Sequence, residues 1–196
     1  MLYQIFDNMD QCSEQEVARL LPLVSNQRRE QALRYQHTFG QFCCLKSYIM
    51  LCDILAEWGR VHQLPINEQP TFLYNNYGAP YIEGGPYFSI SHCKTGIAVA
   101  ISENPIGIDI EAIRTFKPEL MRKTMNLTEQ QHIISSTNPD LEFIRLWTQK
   151  EAYLKLKGTG IITDLHNTLA QKQDIVWKEV SNLQLEYICT IAVEKD

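Results

Sequence analysis

Asp109 and Glu111 stand two residues apart in Ile106-Gly107-Ile108-Asp109-Ile110-Glu111, where isoleucines alternate with glycine and acids. On a strand, side chains two apart share a face at about 7 Å spacing, so both carboxylates can converge on one hard cation. The same pattern also describes a half-exposed strand with an acidic outer face. A second group is Trp147, Glu151 and Lys155, spaced i, i+4, i+8 in Trp147-Thr148-Gln149-Lys150-Glu151-Ala152-Tyr153-Leu154-Lys155. On a helix that spacing stacks an aromatic, a carboxylate and an ammonium along one stripe. It fits an ordinary surface ion pair beside a core tryptophan. It equally fits a third carboxylate joining Asp109 and Glu111 at a magnesium ion, with Lys155 and Lys157 neutralising phosphate. A third group, Ser91-His92, ends the run Phe88-Ser89-Ile90-Ser91-His92 and is read as entering a turn. No G-x-S-x-G surrounds Ser91 and no H-x-x-x-H pair occurs, which leaves a serine hydrolase or a zinc enzyme without support.

Several elements must position these groups. Ser13 with Glu16 forms a capping box opening a helix through Val17, Leu20, Leu21 and Val24. Leu45, Tyr48, Cys52 and Leu55 give helical spacing from Gln41 to Trp58, with Gly59 as the stop. Thr71–Tyr74 is a short strand within an otherwise loop-like stretch from Pro65 to Pro86. Tyr87–Ser91 and Ile97–Ser102 form a hairpin joined by residues 92–96. Asn104-Pro105 marks the midpoint, before the strand Ile106–Ile110 with its two chemically different faces. Thr128 with Gln131 reads as a further capping box. A long helix begins at Asn138-Pro139-Asp140 and stops at Gly158. Ile175–Val180 and the alternating Leu185, Tyr187, Cys189, Ile191 and Val193 make an antiparallel pair. Each half combines helices with a small antiparallel sheet, so the fold class is α+β.

The composition bounds the function. The chain has 196 residues, 44% apolar and 21% charged, with formal net charge −5. These are globular values for one domain or two small halves, and the acidic total argues against a nucleic-acid partner. The greasy segment Phe42–Trp58 is broken by Lys46, Ser47, Asp53 and Glu57, as in a buried helix rather than a membrane span. The N-terminus lacks a signal-peptide pattern, and the six cysteines show no C-x-x-C pair. A cytoplasmic protein with free thiols and no membrane association is expected.

Taken in order, Phe88-Ser89-Ile90-Ser91-His92, Gly107-Ile108-Asp109-Ile110-Glu111 and the Trp147–Lys155 string, followed by Lys157-Gly158-Thr159-Gly160, closely resemble the 4'-phosphopantetheinyl transferases of the larger, surfactin-synthetase-activating type. The likeness is sharpest from Tyr77 to Gly160. It implies two similar α+β halves related by a pseudo-two-fold, residues 1–103 and 104–196, with coenzyme A in the cleft between them. It further implies a monomer that moves the phosphopantetheine arm of coenzyme A to a serine of an apo acyl or peptidyl carrier protein, releasing adenosine 3',5'-bisphosphate.

By the same resemblance, Asp109, Glu111 and Glu151 bind Mg²⁺, and Glu151 is also the base for the carrier serine. Lys155 adds charge at the phosphates, Ser91 and His92 hold the 3'-phosphate region, and Arg28 supplies another phosphate contact. On residue type alone Arg28 equally fits a solvated helix face. The acids are expected outside the core. Two departures stand out: Gly78-Ala79-Pro80 replaces the family's Gly-Lys-Pro, and Cys43 sits near a common arginine position, with Lys46 or Lys94 as substitutes. A magnesium-dependent phosphohydrolase or nucleotidyl enzyme, or a non-catalytic relative that binds coenzyme or carrier, are the alternative readings.

Overall fold

The computed structural model describes residues 1–65, 67, 69–160, 164–170 and 174–195. Its N-terminal portion opens with β1 (Leu2–Phe6), α1 (Glu14–Leu20) and α2 (Asn26–Leu33). Ser13 caps α1 by accepting from the Glu16 amide, but the Glu16 carboxylate turns to Arg19 instead of closing a capping box. Next comes α3 (Thr38–His62), whose apolar positions are mostly buried from Phe42 to Trp58, with Ile49 and Cys52 half-buried and Ala56 exposed. It is long and apolar enough to cross a membrane by composition, and here it forms the centre of the largest core cluster. The helix runs past Gly59, which packs in the interior, and ends where Gln63 takes a left-handed conformation at φ 55°.

The short β2 (Leu73–Tyr74) and β3 (Pro80–Tyr81) pair with each other around the Asn75–Ala79 turn. They precede the hairpin of β4 (Tyr87–Cys93) and β5 (Gly96–Ser102). That hairpin is tighter than the sequence implies. It closes over Lys94-Thr95 alone, so Ser91 and His92 lie within the strand, not in a turn. The reason is the register, which pairs Cys93 with Gly96.

The second portion begins with β6 (Ile106–Ala112), followed by α4 (Pro118–Thr124), α5 (Leu127–Ser135) and α6 (Pro139–Lys157). At α5 the capping box is Asn126 with Glu129, two residues earlier than Thr128 and Gln131. Asn138 caps α6 and Gly158 ends it at φ 62°, as the sequence implies; a positive φ favours glycine there. The chain closes with β7 (Ile175–Glu179) and β8 (Tyr187–Glu194).

Two three-stranded antiparallel sheets result, ordered β1-β5-β4 and β6-β8-β7. They share one connectivity: a strand, a helical stretch, then a hairpin whose second strand takes the centre. The class is α+β. Strand β5 has two apolar faces. Ile97, Val99 and Ile101 join the α3 core, while Ala98 and Ala100 pack against Ile106, Ile108 and Ile110 of β6. Small alanines let the two sheets approach, and the isoleucines fill the space between.

Candidate active site

The close approach of α6 to β6 builds the site. A Cβ on Gly107 would lie 1.8 Å from the Ala152 carbonyl oxygen and 2.6 Å from the Leu156 nitrogen. Glycine is therefore what lets the helix backbone sit directly on the strand. Helix and strand run in opposite senses, and Thr148 Oγ1 bonds Thr190 Oγ1 at 2.9 Å to fix the helix over the sheet. With that register Trp147 faces Glu111, Nε1 to Oε1 at 3.4 Å, and Lys155 Nζ donates to Asp109 Oδ1 at 2.7 Å. Glu151 lies between them on the same helical stripe.

Strand β4 supplies the other wall. Ser89 and Ser91 alternate with Phe88 and Ile90 and face β6, the edge strand of its sheet. Ser89 Oγ accepts from the Ile108 amide at 3.0 Å, and the Ile108 carbonyl accepts from Lys155 at 3.2 Å. This satisfies the free edge of β6, where unpaired backbone groups would otherwise be costly. Ser91 donates to Asp109 Oδ1 at 2.7 Å.

Asp109 is only 4% exposed, which corrects the expectation that it lies outside the core. Its Oδ1 accepts two bonds, while Oδ2 is buried and accepts none; Glu151 Oε1 is likewise buried without a partner. Mutual proximity of the acids shows in their proton affinities. Burial first, then the charges of Asp109 and Glu111, push the Glu151 carboxyl from 4.5 up to about 7, with Lys155 pulling the other way. Burial and Asp109 also raise Glu111, opposed by Arg114, the Trp147 indole and Lys155. Arg114 approaches Glu111 at 3.8 Å.

The structure thus brings Asp109, Glu111 and Glu151 to one place with Lys155. Among the described residues no three His, Cys, Asp or Glu side chains stand as a ready-made metal cluster. Lys155 occupies Asp109 Oδ1 instead. Two orphaned, buried carboxylate oxygens are nevertheless the donor chemistry that magnesium prefers.

Arg28 is 8% exposed, not a solvated helix-face residue. Its guanidinium donates to the Cys44 carbonyl at 2.8 Å, Gln31 Oε1 at 3.0 Å and Ser47 Oγ at 3.0 Å, and lies over Tyr48 and Phe72. All three acceptors are neutral. His92 is exposed at the surface, but the protein packed around its ring lowers its proton affinity, the cations Lys155 and Arg28 lower it further, and Asp109 opposes them. The His92 ring meets Phe39 edge-on at 6.0 Å. Lys46 sits over the Phe6 ring at 4.4 Å, Cys43 is buried in the α3 core, and Lys94 is exposed on the hairpin turn.

A cleft of about 260 Å³ opens onto this arrangement, lined among others by Tyr77, Gly78, Phe88, Ile90, Glu151 and Lys155. Ala79 also lines it, so the position where the family carries a lysine does face the cleft. A neighbouring hollow of about 520 Å³ shares Pro80, Phe88 and Lys155. Asn75 ties the turn above the cleft to the end of α6 through the Gly158 carbonyl at 3.1 Å. Sequence reasoning missed Arg114 and the indole–carboxylate bond. The i, i+3 spacing of Glu111 and Arg114 was the available signal for the first.

The chain is similar in sequence to known proteins. Residues 105–192 match the 4'-phosphopantetheinyl transferase superfamily. The 4'-phosphopantetheinyl transferase psf-1 of Bacillus pumilus is 28% identical over 83% of this chain and 70% of its own. The 4'-phosphopantetheinyl transferase Sfp of Bacillus subtilis is 26% identical over 76% of this chain and 66% of its own. The 4'-phosphopantetheinyl transferase HetI of a Nostoc species is 36% identical over 47% of this chain and 44% of its own. The chain thus spans about two thirds of the length of the Bacillus relatives.

Proposed function

We propose that the chain, similar as it is to the 4'-phosphopantetheinyl transferase superfamily and to its larger Sfp-like members, transfers the phosphopantetheine arm of coenzyme A to a serine of an apo acyl or peptidyl carrier protein. The observation that carries this reading is the pair of partnerless buried oxygens, Asp109 Oδ2 and Glu151 Oε1, next to Lys155, with Glu151 and Lys155 lining the cleft and Asp109 bonded to Lys155 behind them.

Asp109, Glu111 and Glu151 would hold magnesium, which supplies positive charge against the pyrophosphate. The protein's own residues do the rest. In the transfer, the carrier serine oxygen forms a bond to the pantetheine-side phosphorus. The bond from that phosphorus to the bridging oxygen breaks, and adenosine 3',5'-bisphosphate leaves with the oxygen. The serine proton passes to the Glu151 carboxylate, which stands on the cleft wall as the general base. Lys155 turns its ammonium to the phosphates as charge develops, and toward the nucleotide's 3'-phosphate Arg28 supplies the positive charge while the His92 ring, its proton affinity lowered, acts as a neutral hydrogen-bond donor. Phe88 and Ile90 give the cleft an apolar side.

The reading also takes residues 1–103 and 104–196 as two halves meeting at the cleft, and the protein as a cytoplasmic monomer. The test is incubation with coenzyme A, magnesium and a panel of apo carrier proteins, read by mass spectrometry. A phosphopantetheine adduct on a carrier serine is the expected result. Coenzyme cleavage without a carrier, or coenzyme binding with no adduct on any carrier, would overturn it.

A further inference from the structure

The family resemblance gives Ser91 to the nucleotide together with His92, but the geometry of β4 separates them. Consecutive strand residues point to opposite faces. Ser91 faces β6 alongside Ser89, while His92 meets Phe39 on the other side. A serine hydroxyl has one proton, and that of Ser91 lies on Asp109 Oδ1 at 2.7 Å in a buried position. We infer that Ser91 is a positioning residue of the cation site: it orients the Asp109 carboxylate so that Oδ2 faces the divalent ion.

The asymmetry of that carboxylate is the argument. Oδ1 accepts from both Ser91 and Lys155, whereas Oδ2 is buried and accepts nothing. A buried carboxylate with both oxygens free to choose would share its donors, because each unpaired polar atom costs about 1–3 kcal/mol. Here the donors gather on one oxygen and leave the other to an external partner. Of the two donors, Lys155 is long and 31% exposed at its side chain, and it is the one that can move to phosphate. Ser91 sits on a strand and cannot follow. Once Lys155 turns away, the hydroxyl holds the carboxylate in orientation, as the outer partners of metal-ligating groups do.

The inference rests on the cation reading above, and its test separates the two. Mn²⁺ is titrated into the protein saturated with coenzyme A and followed by electron paramagnetic resonance. Coenzyme A is separately titrated in EDTA by calorimetry. Ser91→Ala is expected to weaken Mn²⁺ binding by about tenfold or more, to leave coenzyme affinity in EDTA unchanged, and to be rescued by Ser91→Thr. Ser91→Cys, which keeps the volume with a poor donor, serves the same purpose should the alanine variant not fold. Unchanged Mn²⁺ affinity in both removal variants would overturn the inference. Loss of coenzyme affinity in EDTA would also overturn it and return the hydroxyl to the nucleotide. If the unsubstituted protein binds no Mn²⁺, the cation reading itself fails and Ser91's role falls with it.

Discussion

Replacing Glu151 by glutamine is expected to stabilise the folded protein above neutral pH while abolishing its proposed activity. In the folded state burial and two neighbouring acids hold the Glu151 carboxyl up to about 7, against 4.5 in the unfolded chain. Below pH 4.5 both states are protonated and the group makes no difference. Between 4.5 and about 7 the unfolded chain has lost the proton and the folded one keeps it, so stability falls as pH rises. Above about 7 both are ionised and the folded protein carries the whole electrostatic cost. At ~1.4 kcal/mol per pH unit that cost would reach about 3 kcal/mol for a group fully out of water. Glu151 is only partly buried, and solvent with Lys155 screens it, so about 1–2 kcal/mol is the expected value.

Glutamine keeps the shape and removes the charge. Urea unfolding should give equal stabilities for the two proteins near pH 4.5 and a growing advantage for Glu151→Gln that levels off above about pH 7. The advantage corresponds to a melting temperature higher by about 2–8 °C at pH 8. Magnesium in the presence of coenzyme A should narrow the gap, since it binds the ionised carboxylate of the folded protein and has less to bind in the variant. Transfer to an apo carrier should fall by about 10²-fold or more with the base gone. A variant less stable than its parent at pH 8, or a difference independent of pH, would refute the claim that Glu151 sits in a crowd of negative charge.

Other perturbations test the parts that hold the site. Gly107→Ala puts a methyl group against the α6 backbone and should cost about 3 kcal/mol or more by urea unfolding, with loss of Mn²⁺ binding in whatever fraction folds. Lys150, 0% exposed, donates to Glu129 Oε2 and to the carbonyls of Thr124 and Leu165. Lys150→Met should therefore cost about 3–5 kcal/mol, and pairing it with Glu129→Gln should recover part of that loss in a double-mutant cycle. Arg28→Lys keeps the charge but cannot reach Cys44, Gln31 and Ser47 as a fork; it should lower stability by about 1–3 kcal/mol and weaken coenzyme A binding in calorimetry. Stability unchanged in Arg28→Lys would contradict the bonding described for the guanidinium.

What was legible in the sequence is what local rules decide. The period-two alternation of β6 and the i, i+4, i+8 stripe of α6 named the acids and Lys155, and Asn138 with Gly158 set both ends of the helix. Where a nearer residue competed, local rules misjudged: Asn126 outbid Thr128 as a cap, and Gly59 did not stop α3 because its place in the core outweighs glycine's low helix propensity. Arg28 was beyond local reading altogether. Its burial depends on Cys44 and Ser47 of another helix, which no spacing near residue 28 encodes.

The charge balance of the site was hidden for the same reason, and it is where the fold does its chemical work. Gly107 draws α6 onto β6, and that single approach buries Glu151 within reach of the Asp109 charge, raises its proton affinity, and sets Lys155 on the aspartate. Lys155 offsets part of the repulsion in the absence of a metal, and its release is the step that a bound cation and phosphate would make favourable. On the proposed cation reading, the cost of packing the acids together would be the source of affinity for a divalent ion: a site relaxed enough to be comfortable without the ion would gain less by binding it.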